Sequence, residues 1–325
     1  MISLKDTKCE VFPIIVPVLS SLNSINFFLF RKDQTLILID AGLNNEECWQ
    51  ALELALAQNG FTLKDISQII LTHHHIDHVG LVNRIVSKTQ VPVYAHRASK
   101  PRLKRDSDFL NMRADFFSQL YKEMGCGDAG HKQSAYLRAS INKNKMHKIE
   151  GPIFEITGKQ WMNFEIIEVP GHAPDQITFF EKERKWLFAG DLLIEHISSN
   201  ALVEPDENGK RLMTLSQHRK SLDNCLSLDI DHVFPGHGTL IRNPQQLIKK
   251  RLDGIESKAA KFAALIESGI STGSKLAQVY YKEKYSQQFS LVMSEIIGHL
   301  DYLEMNGRIV KESINGVWHY SVGKK

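Results

Sequence analysis

Apolar and polar positions alternate in a way that divides the chain into three stretches. Residues 27–30 and 35–39 are β-type runs separated by the polar Arg31-Lys32-Asp33-Gln34, a spacing that predicts a hairpin. Upstream, the apolar stretch 11–29 is broken by Pro13, Pro17, Ser20, Ser21, Asn23, Ser24 and Asn26. It reads as strands with a turn, because a membrane span needs about 20 unbroken apolar residues. Residues 46–59 read as a helix stopped by Gly60, 68–72 as a buried-type strand, 80–87 as a helix and 91–95 as a short strand. This alternation of strand and helix is that of a layered α/β protein.

From about 97 to 148 the pattern turns charged and helix-prone, which predicts a helical insertion. Strands return at 154–156, 164–169, 177–180 and 186–188, followed by a helix at 216–226 and a strand at 233–234. Beyond Pro244 helices are expected at 246–268, 272–284 and 289–306, the last carrying Val292, Ile296, Leu300 and Leu303 on one face before Gly307. Residues 308–322 then alternate about Asn315-Gly316, a strong hairpin signal. The expected organisation is a catalytic unit over 1–244, its cap at about 97–148, and a winged-helix-like unit over 245–325.

Composition changes this picture little. With 42% hydrophobic and 24% charged residues among 325, the chain has the make-up of an ordinary globular protein, which excludes disordered, collagenous and disulfide-scaffold classes. A net charge of +3 is too small to imply a nucleic-acid or membrane partner by itself. Cys9, Cys48, Cys126 and Cys225 are scattered without a Cys-x-x-Cys pair, so reduced thiols and a cytoplasmic location are expected, with no membrane association.

The chemistry lies in Thr72-His73-His74-His75-Ile76-Asp77-His78-Val79-Gly80, a His-x-His-x-Asp-His loop directly after an apolar strand. Imidazole and carboxylate donors suit zinc and similar divalent ions, and a cluster of them is expensive to bury without a cation. Three later elements, Pro170-Gly171-His172, Gly190-Asp191 and Pro235-Gly236-His237, each follow an apolar strand, with glycine allowing a sharp turn next to the ligand.

Motifs in this order and spacing resemble the metallo-β-lactamase superfamily over about residues 14–240, with glyoxalase II and the β-lactamase-like protein 2 group as its nearest types. The resemblance implies a four-layer αββα sandwich. It also implies that His73, His75 and His172 hold one metal, that Asp77, His78 and His237 hold a second, and that Asp191 bridges both. Asp77 and Asp191 are the carboxylates assigned to catalysis. Two divalent ions are expected, zinc by default with Mn2+ or Fe2+ as alternatives, and a bridging hydroxide on that dinuclear centre would be the nucleophile. An aspartate at 191, where antibiotic-degrading members usually differ, points away from β-lactams. His75, where flavodiiron proteins usually carry glutamate, points away from redox chemistry. Asp40 is expected to support the ligand loop and His74 to point away from the metals. His96, His196 and His218 read as structural, with a proton-donor role near the cleft as the alternative.

The function expected is metal-dependent hydrolysis of an ester, thioester or phosphoester. Lactones are disfavoured because Leu192, Leu193 and Ile194 follow Asp191 where quorum-signal lactonases carry a tyrosine, and the tail does not match the glutathione-binding segment of glyoxalase II. Basic residues in the insertion, among them Lys100, Arg102, Lys104, Arg105 and Arg113, favour a small or medium anionic substrate. A single-strand endoribonuclease, which would bring RNA as partner, and a non-catalytic nucleic-acid-binding regulator are the alternatives. A homodimer formed through the insertion is left open.

Overall fold

The computed structural model describes residues 9–323. Six strands, β1 (Cys9–Pro17), β2 (Ser24–Lys32), β3 (Thr35–Ile39), β4 (Ile66–Ile70), β5 (Val93–Ala95) and β6 (Ile153–Glu155), lie side by side in chain order. The first three form an antiparallel meander, while β3 to β6 are parallel and need crossovers. Helices Glu46–Gln58 and Val82–Thr89 and the helical insertion supply them. A second six-stranded sheet contains β7 (Gln160–Trp161), β8 (Phe164–Glu168), β9 (Ile177–Glu181), β10 (Trp186–Gly190), β11 (His232–Pro235) and β12 (Ile241–Arg242). Only β10 and β11 pair in parallel there, across helix Thr214–Leu226.

The sheets face each other across an aromatic layer. Phe28 and Phe30 of the first meet Phe164, Phe179, Phe188 and Phe234 of the second. Phe188 and Phe234 stack at 4.6 Å, and Phe28 sets its edge against both at 5.6 and 5.5 Å. On β2 the alternate residues Phe27 and Leu29 point the other way, into the layer shared with Leu52, Leu56, Val82 and Ile85. With both faces buried there, the run from Phe27 to Phe30 is apolar without a break, so period-two alternation disappears from its sequence.

The outer face of the second sheet, with Phe180, Leu187 and Val233, is covered by Leu222 of helix Thr214–Leu226 and by the tail. Helices Gln245–Glu267, Gly273–Tyr281 and Phe289–Met305 and the hairpin β13 (Ile309–Ile314) and β14 (Val317–Val322) make up that tail. The expected face Val292, Ile296, Leu300 and Leu303 is buried. Asn315 and Gly316 both take positive φ, 51° and 79°, as a two-residue hairpin turn that follows the strand twist requires.

The insertion is a helical pair, Ser107–Glu123 and Gly127–Lys143. Its first helix sends Phe117, Leu120 and Tyr121 into the same apolar cluster as the tail, while the second buries only Gly130 and Ser134. Glu204 fastens the pair: it accepts from Arg102 at 3.4 Å and from Arg113 Nε at 2.8 Å, and those guanidiniums lie over Phe109 and Phe117. Burial would raise the Glu204 carboxyl, but Arg113 and Arg102 together hold it below its usual range.

Because tail and sheet share one apolar cluster, a chain ending at Asn243 would expose Leu187, Val233 and Leu222 to water. Its expected behaviour is loss of the cooperative thermal transition and increased dye binding to exposed apolar surface. A truncated protein with an intact, cooperative transition would contradict this dependence.

Candidate metal centre

The loops that the sequence singles out meet at one end of the sandwich. His73 and His75 follow β4, His78 sits on the short helix Ile76–Val79, His172 follows β8, Asp191 follows β10 and His237 follows β11. Nitrogens of His73 and His172, both Nε2, each lie 3.0 Å from His75 Nδ1. Asp191 faces both halves of the cluster. Its Oδ2 is 3.3 Å from His172 Nε2 and 3.2 Å from His237 Nε2, and its Oδ1 is 3.3 Å from His78 Nε2. Asp77 Oδ2 stands 3.4 Å from His237 Nε2. Three overlapping groups therefore have donors close enough to hold a metal ion: His73, His75 and His172; His73, His78 and Asp191; Asp77, His78 and His237. All seven residues predicted as ligands are brought together.

The donors fit a cation. His78 Nε2, Asp191 Oδ1 and His237 Nε2 are buried without a hydrogen-bond partner, an arrangement that is costly unless a positive charge compensates it. Burial, reinforced by the neighbouring imidazoles, drives His73 and His75 well below the usual histidine range, and burial also lowers His172. These rings are thus neutral, the form that binds metal. Burial alone would lower His78 too, yet Asp191 and Asp40 raise it well above. Burial would likewise raise Asp191, but His78 and His237 hold it well below the usual carboxylate range.

Three of the imidazoles are oriented from behind. His78 Nδ1 donates to Asp40 Oδ2 at 2.8 Å, and the same carboxylate accepts from Thr72 N and Thr72 Oγ1, each at 2.8 Å. Asp40 sits at φ 58°, a left-handed conformation that aspartate tolerates better than most residues. His237 Nδ1 donates to Ser24 O at 2.7 Å, and His172 Nδ1 to Asn200 O at 2.9 Å. Hydrogen bonds of this kind fix the tautomer and aim the other nitrogen at the centre. Gly236 is required by space, because a Cβ there would lie 2.4 Å from Asp191 Oδ1 and 2.5 Å from His78 Cε1.

Asp40 behaves as the sequence implied, bonding ligand-bearing residues. His74 turns away and bonds Asp175 Oδ1 at 2.6 Å. The sequence did not reveal Asp175, which is fully buried and also accepts from Ser99 Oγ at 2.6 Å, linking the ligand loop to the entry of the insertion. An acid three residues after His172 was its only signal. Asn26 was also missed. It donates to Pro235 O and Gly238 O at 3.0 and 2.9 Å and so brackets the His237 turn. The other three histidines lie outside the cluster: His96 accepts from Ala98 N, His196 Nε2 donates to Ser21 O, and His218 is buried behind His172, where a Cβ on Gly171 would strike it at 2.4 Å.

No helix of the described residues is long and apolar enough to cross a membrane. All four cysteines are free and buried. A probable metallo-hydrolase of Bacillus subtilis, YqjP, is 31% identical over 311 residues, covering 95% of each chain. An atrochrysone carboxyl ACP thioesterase of Aspergillus fumigatus is 23% identical over 232 residues, which are 71% of this chain and 56% of that one. A solved metallo-beta-lactamase family protein from Thermus thermophilus shares the fold with a TM-score of 0.78 at 22% identity, covering 96% of this chain and 98% of its own. The family model for the metallo-beta-lactamase superfamily matches residues 21–237, and the chain belongs to that superfamily.

Proposed function

We propose that this chain is a dinuclear metal-dependent hydrolase, with His73, His75 and His172 holding one ion, Asp77, His78 and His237 the other, and Asp191 shared. The observation that carries this reading is the placement of Asp191, whose two oxygens face His78 on one side and His172 and His237 on the other. Two divalent ions there would supply a nucleophile from water at neutral pH and Lewis acidity toward a carbonyl or phosphoryl oxygen. Zinc suits a site of five imidazoles and two carboxylates.

What the chain itself does is hold those donors rigid and fix which nitrogen of each supporting imidazole faces the centre. Asp40 keeps the Nδ1 proton on His78, Ser24 O keeps it on His237 and Asn200 O keeps it on His172, so that each Nε2 lone pair is free. Asp77, less buried than Asp191, is the carboxylate nearer to solvent and is placed to meet the incoming substrate.

A thioester or ester is the substrate class favoured, by the family and by a relative that is an acyl carrier protein thioesterase; the basic residues Arg102 and Arg113 of the insertion are taken up by Glu204 and do not bear on it. The tail is read as a winged-helix-like unit whose work is packing. Its cations Lys258, Arg308 and Lys311 pair with Glu295, Glu256 and Glu304, and acids such as Asp253, Glu267 and Glu312 are interspersed among its other basic residues, which does not favour an RNA-cleaving or DNA-binding reading.

Metal analysis of the purified protein is expected to give two divalent ions per chain. Turnover of a thioester or ester should vanish with chelator and return with metal, and Asp191→Ala should lower both metal content and kcat/KM by at least about 100-fold, given the several kcal/mol that metal activation supplies. Unchanged turnover in that variant would refute the role given to Asp191, and cleavage of single-stranded RNA alone would refute the substrate class.

Asp40→Asn keeps a residue that accepts the left-handed conformation but removes the charge behind His78. Metal affinity is expected to fall about 10- to 100-fold, as for other carboxylates that support a ligand imidazole. Competition with a chromogenic chelator would measure it.

A further inference from the structure

The two loops that carry His73, His75 and His172 are tied to each other twice. Just beyond β4, Thr72 O accepts from Ile177 N, the first residue of β9, at 2.9 Å. A second tie is made by side chains, His74 Nδ1 donating to Asp175 Oδ1 at 2.6 Å. His74 stands between two ligand candidates on the first loop, and Asp175 follows His172 by three residues on the second. The turn around His172 and Asp175 is closed by its own backbone, since Gly171 N and Gln176 N both donate to Ala173 O at 3.3 Å. Asp175 and His172 are thus carried on one short turn, and a displacement of one is passed to the other.

Asp175 is fully buried, and its second oxygen, Oδ2, accepts from Ser99 Oγ at 2.6 Å. Burial would raise its carboxyl, but His74, Ser99 and Arg102 hold it well below the usual carboxylate range. An ionised carboxylate only accepts, so the protons of these two bonds lie on His74 Nδ1 and Ser99 Oγ, and charge-assisted bonds of this length are the strong ones. Ser99 is itself buried, in the turn that leads into the insertion.

His75 is the imidazole with most need of such a support. His78, His172 and His237 each have an acceptor at Nδ1, and His73 Nδ1 lies 3.0 Å from Thr72 Oγ1, whose own proton goes to Asp40. His75 differs. It turns Nδ1 inward, 3.0 Å from Nε2 of both His73 and His172, and its Nε2 bonds no group among the described residues. With no partner behind the ring, its aim is set by where the backbone lies. On one side that backbone is pinned by the His74 side chain, and on the other by His75 O, which accepts from His78 N at 3.0 Å.

We propose that Asp175 is a positioning residue for the metal centre: through His74 it sets the spacing of His75 from His172, and so, on the ligand sets given above, governs the ion held by His73, His75 and His172. The two ions then have different supports. His78 and His237 are braced by Asp40, Ser24 and Asn26, which belong to β2 and the end of β3 in the first sheet. The first group leans instead on Asp175 and, behind it, on Ser99 at the entry of the insertion. Removing the Asp175–His74 contact is felt at one ion and not at both.

Stepwise zinc affinities of the full chain, read by competition with a chromogenic chelator, test this. His74→Ala and Asp175→Ala are each expected to weaken one binding step about tenfold, as for other groups that support a ligand, and to leave the other step within about twofold. His74→Asn should restore most of the loss, because the asparagine Nδ2 takes the place of histidine Nδ1 and donates to the same oxygen. The double variant, His74→Ala with Asp175→Ala, should lose no more than either single one, as expected for two ends of one contact. His74 is partly exposed, so its two variants decide the matter even where Asp175→Ala does not fold. Equal weakening of both steps with no recovery in His74→Asn would mark a general loss of structure and overturn the proposal, as would unaltered affinities in His74→Ala. The number of ions in the unaltered protein tests the dinuclear reading, whereas the ratio of variant to unaltered affinities tests the role of Asp175.

Discussion

Three buried polar atoms, His78 Nε2, Asp191 Oδ1 and His237 Nε2, face one another with no hydrogen bond to relieve them. An unpaired buried polar group costs about 1–3 kcal/mol and more when charged, so such a cluster survives only on a scaffold that over-determines it. The two sheets provide that scaffold. Strands β4, β8, β10 and β11 are clamped by the phenylalanine layer between them, and the ligand loops leave from their ends. Second contacts then remove the remaining freedom: Asp40 binds His78 and Thr72, and Asn26 brackets the turn that carries His237. Metal affinity and fold stability are consequently tied, since cations that bind only the folded chain stabilise it by mass action.

Much of this was legible in the sequence, for identifiable reasons. Ligands in this fold sit in short motifs after apolar strands, so His73, Asp77 and His237 announce themselves by local spacing. Helix Phe289–Met305 and the Asn315-Gly316 hairpin were equally plain, because amphipathic period and turn chemistry are local properties. What stayed hidden was whatever depends on pairs far apart in the chain. Asp175 meets His74 across 101 residues and Asn26 meets Pro235 across 209, and a lone acid or amide carries no sign of its partner. The edge strands β7 and β12 are two residues each, too short for any periodicity to appear.

The tail shows the same distinction between local and distant information. Its helices and hairpin could be read one by one, but their position could not. Their apolar face does not close on itself as an independent unit. Phe262, Ile296 and Leu300 join Leu187 and Val233 of the second sheet and Phe117 of the insertion in one cluster. The fourth layer of the sandwich is thus built from three separate parts of the chain, and the insertion is anchored to it through Glu204, with Arg102 and Arg113.

That construction places the segment from Asp191 to Glu204 between two environments. At its start it carries Asp191, at Ser199 and Asn200 it holds His172, and at Glu204 it locks the insertion. Arg251 of the tail donates to three of its carbonyls, those of Ile194, Glu195 and Ile197, between the buried anchors Leu192, Leu193 and Ile194 on one side and Ala201 and Val203 on the other. A displacement of the tail helices would therefore reach the metal centre through this one segment, by way of His172, before it disturbed the phenylalanine layer. The packing of the tail is in this sense part of the site: it bears on the orientation of His172, which follows β8 in another part of the sequence.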